Sequence, residues 1–293
     1  MYYLRFKCKL ITPMFMYGAD GKTPELRPSE FKGMMRWWWR AIRAQDDYQK
    51  MKEQETEIFG GSGEIEGRSK VKIKISSNIE VNDIIDYQPL PHHQRNNCQI
   101  DKNPNCNKAF KLKAIRIGKD INIDFYFTFR EIEPLLYLIF ILGGFGKRSR
   151  RGFGSFHIIT PPIEINNEKI LELLNRIDND YEIANSQFLD GVKTIKHKKQ
   201  KNGNYPWIKE IILTKKEFNN ADDILKAIAI ASHKHSDNSL GSANPRMSSP
   251  IYVSVVNVNN KLHSIITVLN SYFPSNYPHW NFNKQKDLIK ELA

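Results

Sequence analysis

Cysteine is scarce in this sequence. Cys8, Cys98 and Cys106 are the only three in 293 residues, and their wide spacing makes no disulfide framework. A reducing cytoplasm is therefore the expected setting. No apolar run approaches the roughly 20 residues that cross a bilayer, so no membrane is expected as a partner. Residues 1–7 alternate like a strand and lack the apolar stretch of a secretory signal. Carboxylates are outnumbered: 32 Asp and Glu face 44 Lys and Arg, for a formal net charge of +12. That surplus favours a polyanionic partner, because each phosphate neutralised releases condensed counterions. No Gly-Lys-Ser/Thr closes a glycine run, which excludes a P-loop, and no glycine fingerprint follows the first strand. His92, His93, Cys98 and Cys106 match no common zinc spacing, so neither metal nor cofactor is expected.

The length fits two α/β domains. Residues 2–11 alternate as a strand, and a Gly/Pro-marked loop leads to Ser29, a suitable N-cap for a helix over about 30–54. Strands are predicted over 71–75, 109–117 and 121–130, a helix over 131–142, and a strand over 153–159. The order β-α-β-β-α-β is that of a ferredoxin-like (RRM-like) domain. Pro161-Pro162 marks a boundary, giving domains 1–160 and 161–293. The second half is predicted to hold helices over 168–177, 222–232 and 284–292, with strands over 209–214, 251–258 and 262–269. The fold class is α+β: two tandem ferredoxin-like domains, with a glycine-rich loop closing the first. Residues 82–108 and the lysine-rich 191–206 read as long loops.

The predicted first helix carries Phe31-Lys32-Gly33-Met34-Met35-Arg36-Trp37-Trp38-Trp39-Arg40-Ala41-Ile42-Arg43. At helical spacing Phe31, Met35, Trp38 and Ile42 form the core stripe. Lys32, Arg36 and Arg43 share an adjoining face, with Trp39 at its seam and Arg40 at its far edge. Cations beside an aromatic plane suit a phosphate and a stacked base. Gly33 would allow close approach of a backbone or a phosphate. Buried tryptophans with solvated arginines are the plainer alternative, and it is preferred for Trp38.

The second cluster is the loop at 142–155. It holds five glycines, Gly144 and Gly146 among them, and the cations Lys147, Arg148, Arg150 and Arg151. Glycine-rich backbone can turn its N–H groups towards an anion, and the side chains supply the charge. Phosphodiester binding is expected here rather than a bare turn.

Several segments recur in a telling order. They are Leu10-Ile11-Thr12-Pro13; Pro24-Glu25-Leu26-Arg27-Pro28 running into residues 32–40; Glu57-Ile58-Phe59-Gly60-Gly61; the glycine/arginine loop; and Asn244-Pro245-Arg246-Met247-Ser248-Ser249-Pro250 before a strand. Together they resemble the RAMP superfamily of CRISPR-associated antiviral proteins, in its type III-B (Cmr) branch. The resemblance implies two ferredoxin-like folds and binding of single-stranded RNA, both guide and target, near one end of a complex. It also implies other Cmr-type RAMP subunits as neighbours and Arg246 as a further RNA contact. Sequence choice would then lie in guide–target pairing.

Catalysis is weighed against this. None of the eight histidines lies in the first helix, and His157, just after the glycine loop, is the best candidate for a general acid or base. Asp20 lies in a Gly/Lys turn. The expectation is a non-catalytic RNA-binding subunit. The alternatives are a metal-independent endoribonuclease of the same superfamily and an assembly adaptor whose Trp/Arg face binds protein.

Overall fold

The computed structural model describes residues 1–61, 67–90, 111–199, 201, 205–244, 246–270 and 281–293. Strand β1 (Tyr2–Leu10) alternates as its sequence demands, with Phe6, Cys8 and Leu10 buried and Arg5, Lys7 and Lys9 exposed. Helix α1 (Pro28–Arg43) starts on Pro28, where no N–H is needed, with Arg27 rather than Ser29 at the N-cap. It ends at Ala44, which is left-handed at φ 46°. Asp47 then caps α2 (Tyr48–Phe59), accepting from the N–H groups of Gln49 and Lys50. The single helix predicted over 30–54 is thus two helices.

Strands β2 (Val71–Ile75), β3 (Ile84–Tyr87), β4 (Leu112–Ile115) and β5 (Asp120–Phe127) follow, then α3 (Ile132–Ile141) and β6 (Phe156–Thr160). The first sheet has the order β2-β5-β1-β6, antiparallel throughout. The strand predicted over 109–117 does not join it; β4 instead pairs with β3 in a separate ribbon. Most of the predicted 82–108 loop, with the four zinc candidates, lies outside the described residues.

The second half contributes α4 (Asn167–Asn175), β7 (Tyr181–Asn185), β8 (Lys193–His197), β9 (Trp207–Leu213) and α5 (Ala221–Lys234). The short β10 (Ser242–Ala243) and β11 (Arg246–Met247) pair with each other, ahead of β12 (Ile251–Val258), β13 (Lys261–Asn270) and α6 (Phe282–Leu292). Its sheet is antiparallel, in the order β12-β13-β9-β8-β7. Strand β8 falls inside the predicted 191–206 loop. Its lysines hide it: Thr194 and Ile195 are buried, and Thr194 donates at 2.8 Å to the buried carboxylate of Glu210, which Lys196 approaches at 3.8 Å.

The layers alternate sheet, helix, sheet, helix. One hydrophobic core runs from Phe6 through Trp38 and Phe140 to Ile211, Tyr252 and Ile265 on the inner face of the second sheet. A second core joins Ile212, Val253 and Ile266 on its outer face to Ile224 and Ile228 of α5 and to Leu288 and Ile289 of α6. Buried on both faces, β12 and β13 read as nearly continuous apolar runs. Helix α3, apolar apart from the Glu133 that pairs with Arg176, is largely buried between the sheets. No helix among the described residues is long and apolar enough to cross a membrane.

Candidate nucleic-acid interface

The glycine/arginine loop emerges from α3 and is bound on both sides. Thr12 donates through Oγ1 to the Gly152 carbonyl at 2.7 Å and accepts from the N–H of Ser155 at 2.9 Å. The N–H of Gly152 donates to the Val253 carbonyl at 2.8 Å, and that of Gly144 to the Tyr252 hydroxyl at 3.0 Å. The N–H groups of Phe145, Lys147, Arg151 and Gly154 also donate within the chain. These N–H groups therefore do not face an anion, contrary to the expectation from glycine content. Gly144 and Gly146 serve packing. A Cβ on Gly144 would strike the Phe153 carbonyl, and one on Gly146, at φ 83°, would lie 2.5 Å from the Phe15 carbonyl. What the loop offers outward is its side chains.

The four cations of the loop differ in role. The Arg150 guanidinium lies over Trp37 at 5.1 Å and Tyr252 at 5.5 Å and donates to the Ser249 carbonyl, so it ties α1 to β12. The exposed Lys147 ammonium lies 4.5 Å from the Tyr17 ring. Arg151 donates to the carbonyls of Arg150 at 3.2 Å and Ile251 at 3.3 Å. Arg148, exposed at φ 61°, and Arg151 line a cleft of about 750 Å³ with the exposed Arg246 of β11, Ser242 and Ser248. The same two arginines line an adjoining space of about 360 Å³ against α5. Among the described residues, no carboxylate lines either space. Burial pushes Arg148 and Arg150 below the usual guanidinium range; Arg151 falls to about 10, through burial first and then the charges of Arg148 and Arg150. Like charges crowd here without a counterion among the described residues, an arrangement suited to an anionic ligand.

Of the α1 cations Arg36 lines a separate cleft, and α2 brings Arg36 and Arg40 the carboxylate that their own helix face lacks. Glu55 accepts from Arg36 Nε at 2.8 Å and from Arg40 Nη1 at 2.8 and 2.9 Å; Arg36 also donates to the Gly60 carbonyl at 2.6 Å. Arg43 donates to the Ile177 carbonyl at 2.9 Å, and its guanidinium lies 5.9 Å from the Trp39 ring. Lys32 donates to Ser69 at 3.1 Å, and burial, followed by the Arg36 charge, lowers its pKa. Trp39 is 1% exposed, so its ring has no open face on which to stack a base. Gly33 is exposed with open space where a side chain would go, and no backbone approaches it. Phe31, Met35, Trp38 and Ile42 are fully buried, as their stripe predicts.

Asp20 closes a turn: it accepts from the Thr23 hydroxyl and the N–H groups of Thr23 and Lys22, and these hold its carboxyl low, at about 2. His157 pairs with Lys9 across the first sheet, and burial, then the Lys9 charge, lowers its pKa.

Sequence reasoning missed Ser242, Ser248, Glu55 and the Trp37–Arg150–Tyr252 stack. Ser248 lies within the segment 244–250 but is not singled out there, and Ser242 lies just outside it. Glu55 reaches the arginines only because the chain reverses at Ala44.

The fold agrees with the family comparison. The RAMP superfamily model matches residues 7–157, just over half of the chain, and the chain belongs to that superfamily. Within it, the chain is similar to the CRISPR system Cmr subunit Cmr1-2 of Pyrococcus furiosus, with 30% identity over 186 residues, covering 54% of this chain and 96% of that one. It is also similar to Cmr1-1 of the same organism, with 32% identity over 161 residues, 48% of this chain and 43% of the other. Among solved structures, that of Cmr1 from Pyrococcus furiosus in its apo form superposes with a TM-score of 0.63 at 19% identity, over 100% of this chain and 97% of that chain. A chain of the type III-B Cmr-beta complex bound to cognate target RNA gives 0.56 at 13% identity, with 98% of each chain covered. At such identities the structural likeness speaks for the fold, a mixed α/β architecture with antiparallel sheets.

Proposed function

We propose that this chain is a non-catalytic RNA-binding subunit of a type III-B CRISPR RNA-guided antiviral complex, acting in the cytoplasm beside other Cmr-type RAMP subunits. The cleft of Arg148, Arg151 and Arg246 grips phosphates of single-stranded guide or target RNA, and base pairing between those strands selects the sequence. One observation carries this reading: three arginines from two parts of the chain converge on one cleft that no carboxylate among the described residues lines. The names of the Cmr relatives support the assembly role.

The first sheet has the strand order and connections of a ferredoxin-like unit, with β3 and β4 inserted. In the second sheet β9, β12 and β13 with α5 and α6 follow the same plan, and β8 fills the remaining edge from upstream in the chain. We take these as two ferredoxin-like domains meeting near residues 160 and 161. The glycine loop closes the first by pairing with β12 of the second. Lys147 extends the cationic surface, while Arg150 holds the cleft wall. Lys32, Arg36, Arg40 and Arg43 are chiefly internal braces.

The test incubates the protein with end-labelled single-stranded RNA and splits each sample between native and denaturing gels. Retarded, intact RNA is the expected result. Cleavage products lost on His157→Ala or Asp20→Ala would establish a nuclease instead. No retardation, with unchanged capture of neighbouring subunits, would leave a protein adaptor.

A further inference from the structure

The first sheet packs its helices on one face, where Phe6, Cys8 and Leu10 of β1 join the core of α1 and α3. The alternation of β1 turns Tyr3, Arg5, Lys7 and Lys9 to the other face, and all four are exposed. Strand pairing sets Tyr126 of β5 opposite Tyr3 and Lys72 of β2 opposite Tyr126. One row along, Lys74 and Arg5 flank Asp124, and at the far end Lys9 lies between Asp120 and His157. In the order β2-β5-β1-β6 the two tyrosines sit side by side on the central strands, with ring centroids 5.1 Å apart. Tyr3 remains 52% exposed, so its ring keeps surface open to solvent.

Charge on this face is one-sided. Five cations, Arg5, Lys7, Lys9, Lys72 and Lys74, stand against Asp120 and Asp124, and both carboxylates are engaged. Asp124 pairs with Arg5 at 2.6 Å and accepts from Tyr3 and Ser76, while Asp120 pairs with Lys7 at 3.2 Å. The exposed Lys9, Lys72 and Lys74 make no ion pair among the described residues. Lysines that deter strand pairing at a sheet edge would account for β2 but not for Arg5, Lys7 and Lys9 on a central strand. Cations around an exposed aromatic on an open sheet match a single-stranded polynucleotide, whose bases stack on the ring and whose phosphates take the charge.

We propose that the open face of the first sheet is a second surface for single-stranded RNA. A base stacks on Tyr3, the adjoining phosphates lie on Lys72 and Lys74, and the strand continues along β1 towards Lys9. None of these residues lines the arginine cleft, so the surface goes beyond the site already described. Stacking and charge read no base identity, so the face adds grip on any unpaired strand.

The experiment measures the affinity for one oligouridylate across a salt series. The proteins are the wild type, Tyr3→Phe, Tyr3→Leu, Lys72→Gln/Lys74→Gln and Arg148→Ala/Arg246→Ala. Tyr3→Leu is expected to lose about 5- to 150-fold in affinity, the worth of one stacked base. Tyr3→Phe keeps the ring, drops the bond to Asp124 and is expected to bind as the wild type does. The lysine variant is expected to shrink the log–log salt slope by about 1.4, or about 0.7 for each lysine. Wild-type binding by Tyr3→Leu and by the lysine variant, with the arginine variant weakened, would overturn the sheet surface and leave the cleft reading intact. The reverse pattern would overturn the cleft reading and leave the sheet surface standing. Equal losses in Tyr3→Phe and Tyr3→Leu would show that no base stacks there. Unchanged RNA affinity with lost capture of a neighbouring subunit would assign the face to protein, and a wild type that binds no RNA would overturn both sites. Should Tyr3→Leu melt below Tyr3→Phe, the slope of the lysine variant decides, since its exposed side chains hold no ion pair among the described residues.

Discussion

Glu55, with its side chain 10% exposed, holds the guanidiniums of Arg36 and Arg40 together. Removing it leaves two adjacent cations half-buried and unpaired. Glu55→Ala is therefore expected to lower the unfolding free energy by about 2–4 kcal/mol, measured in urea. Arg36→Ala is expected to cost stability while weakening RNA binding less than Arg148→Ala does, a contrast that equilibrium binding would check. Asp124 makes a comparable brace on the first sheet. Its carboxylate pairs with Arg5 at 2.6 Å and also accepts from Tyr3, and the Arg5 hydrogen bond above all holds its pKa below the ordinary 3.8. A depressed folded pKa contributes stability above the unfolded value and loses it as pH falls through the folded one. The advantage of the wild type over Asp124→Asn is thus expected to be full above about pH 4 and to fade under more acid conditions, read from urea midpoints across pH. At this scale the core was legible: Phe31, Met35, Trp38 and Ile42 fall on one stripe by periodicity alone. The fate of Trp39 and of the arginines beside it was not. Their partners come from α2, Ile177 and Ser69, and local spacing cannot place those.

At the level of elements, the glycine loop works through shape. Gly154 is left-handed at φ 67°, and a Cβ there would collide with the Phe145 backbone. Gly154→Ala is expected to cost about 2–5 kcal/mol, seen as a lowered melting temperature, because strain and overpacking add. The sequence marks the loop plainly through its glycines and arginines, yet it cannot tell whether the N–H groups face a ligand or the chain itself. That depends on Thr12, Phe15 and Val253, which tertiary folding brings up. Two other elements were obscured for local reasons. Ala44 breaks the first helix although no glycine or proline stands there, and β8 carries Lys193 and Lys196, the second 3.8 Å from the buried Glu210 of β9. The positions of β12 and β13, by contrast, are plain in the sequence, although the alternation along 251–258 does not announce burial on both faces.

At the scale of the whole molecule, two sheets clasp α1 and α3, and the glycine loop and the Arg246 turn meet where the halves join. The net charge of +12 pointed to a polyanion from composition alone, but a sum cannot say which cations remain available. The fold sorts them: those of α1 are braced internally, while Arg148, Arg151 and Arg246 converge on a cleft that no carboxylate among the described residues lines. The most direct test of this account is the affinity for single-stranded RNA measured across a salt series, for the wild type and for Arg148→Ala, Arg246→Ala and the double variant. The account expects affinity to fall with salt in the wild type, and the log–log slope to shrink by about 0.7 for each arginine removed. A slope unchanged in the double variant would contradict it and place the RNA elsewhere on the molecule.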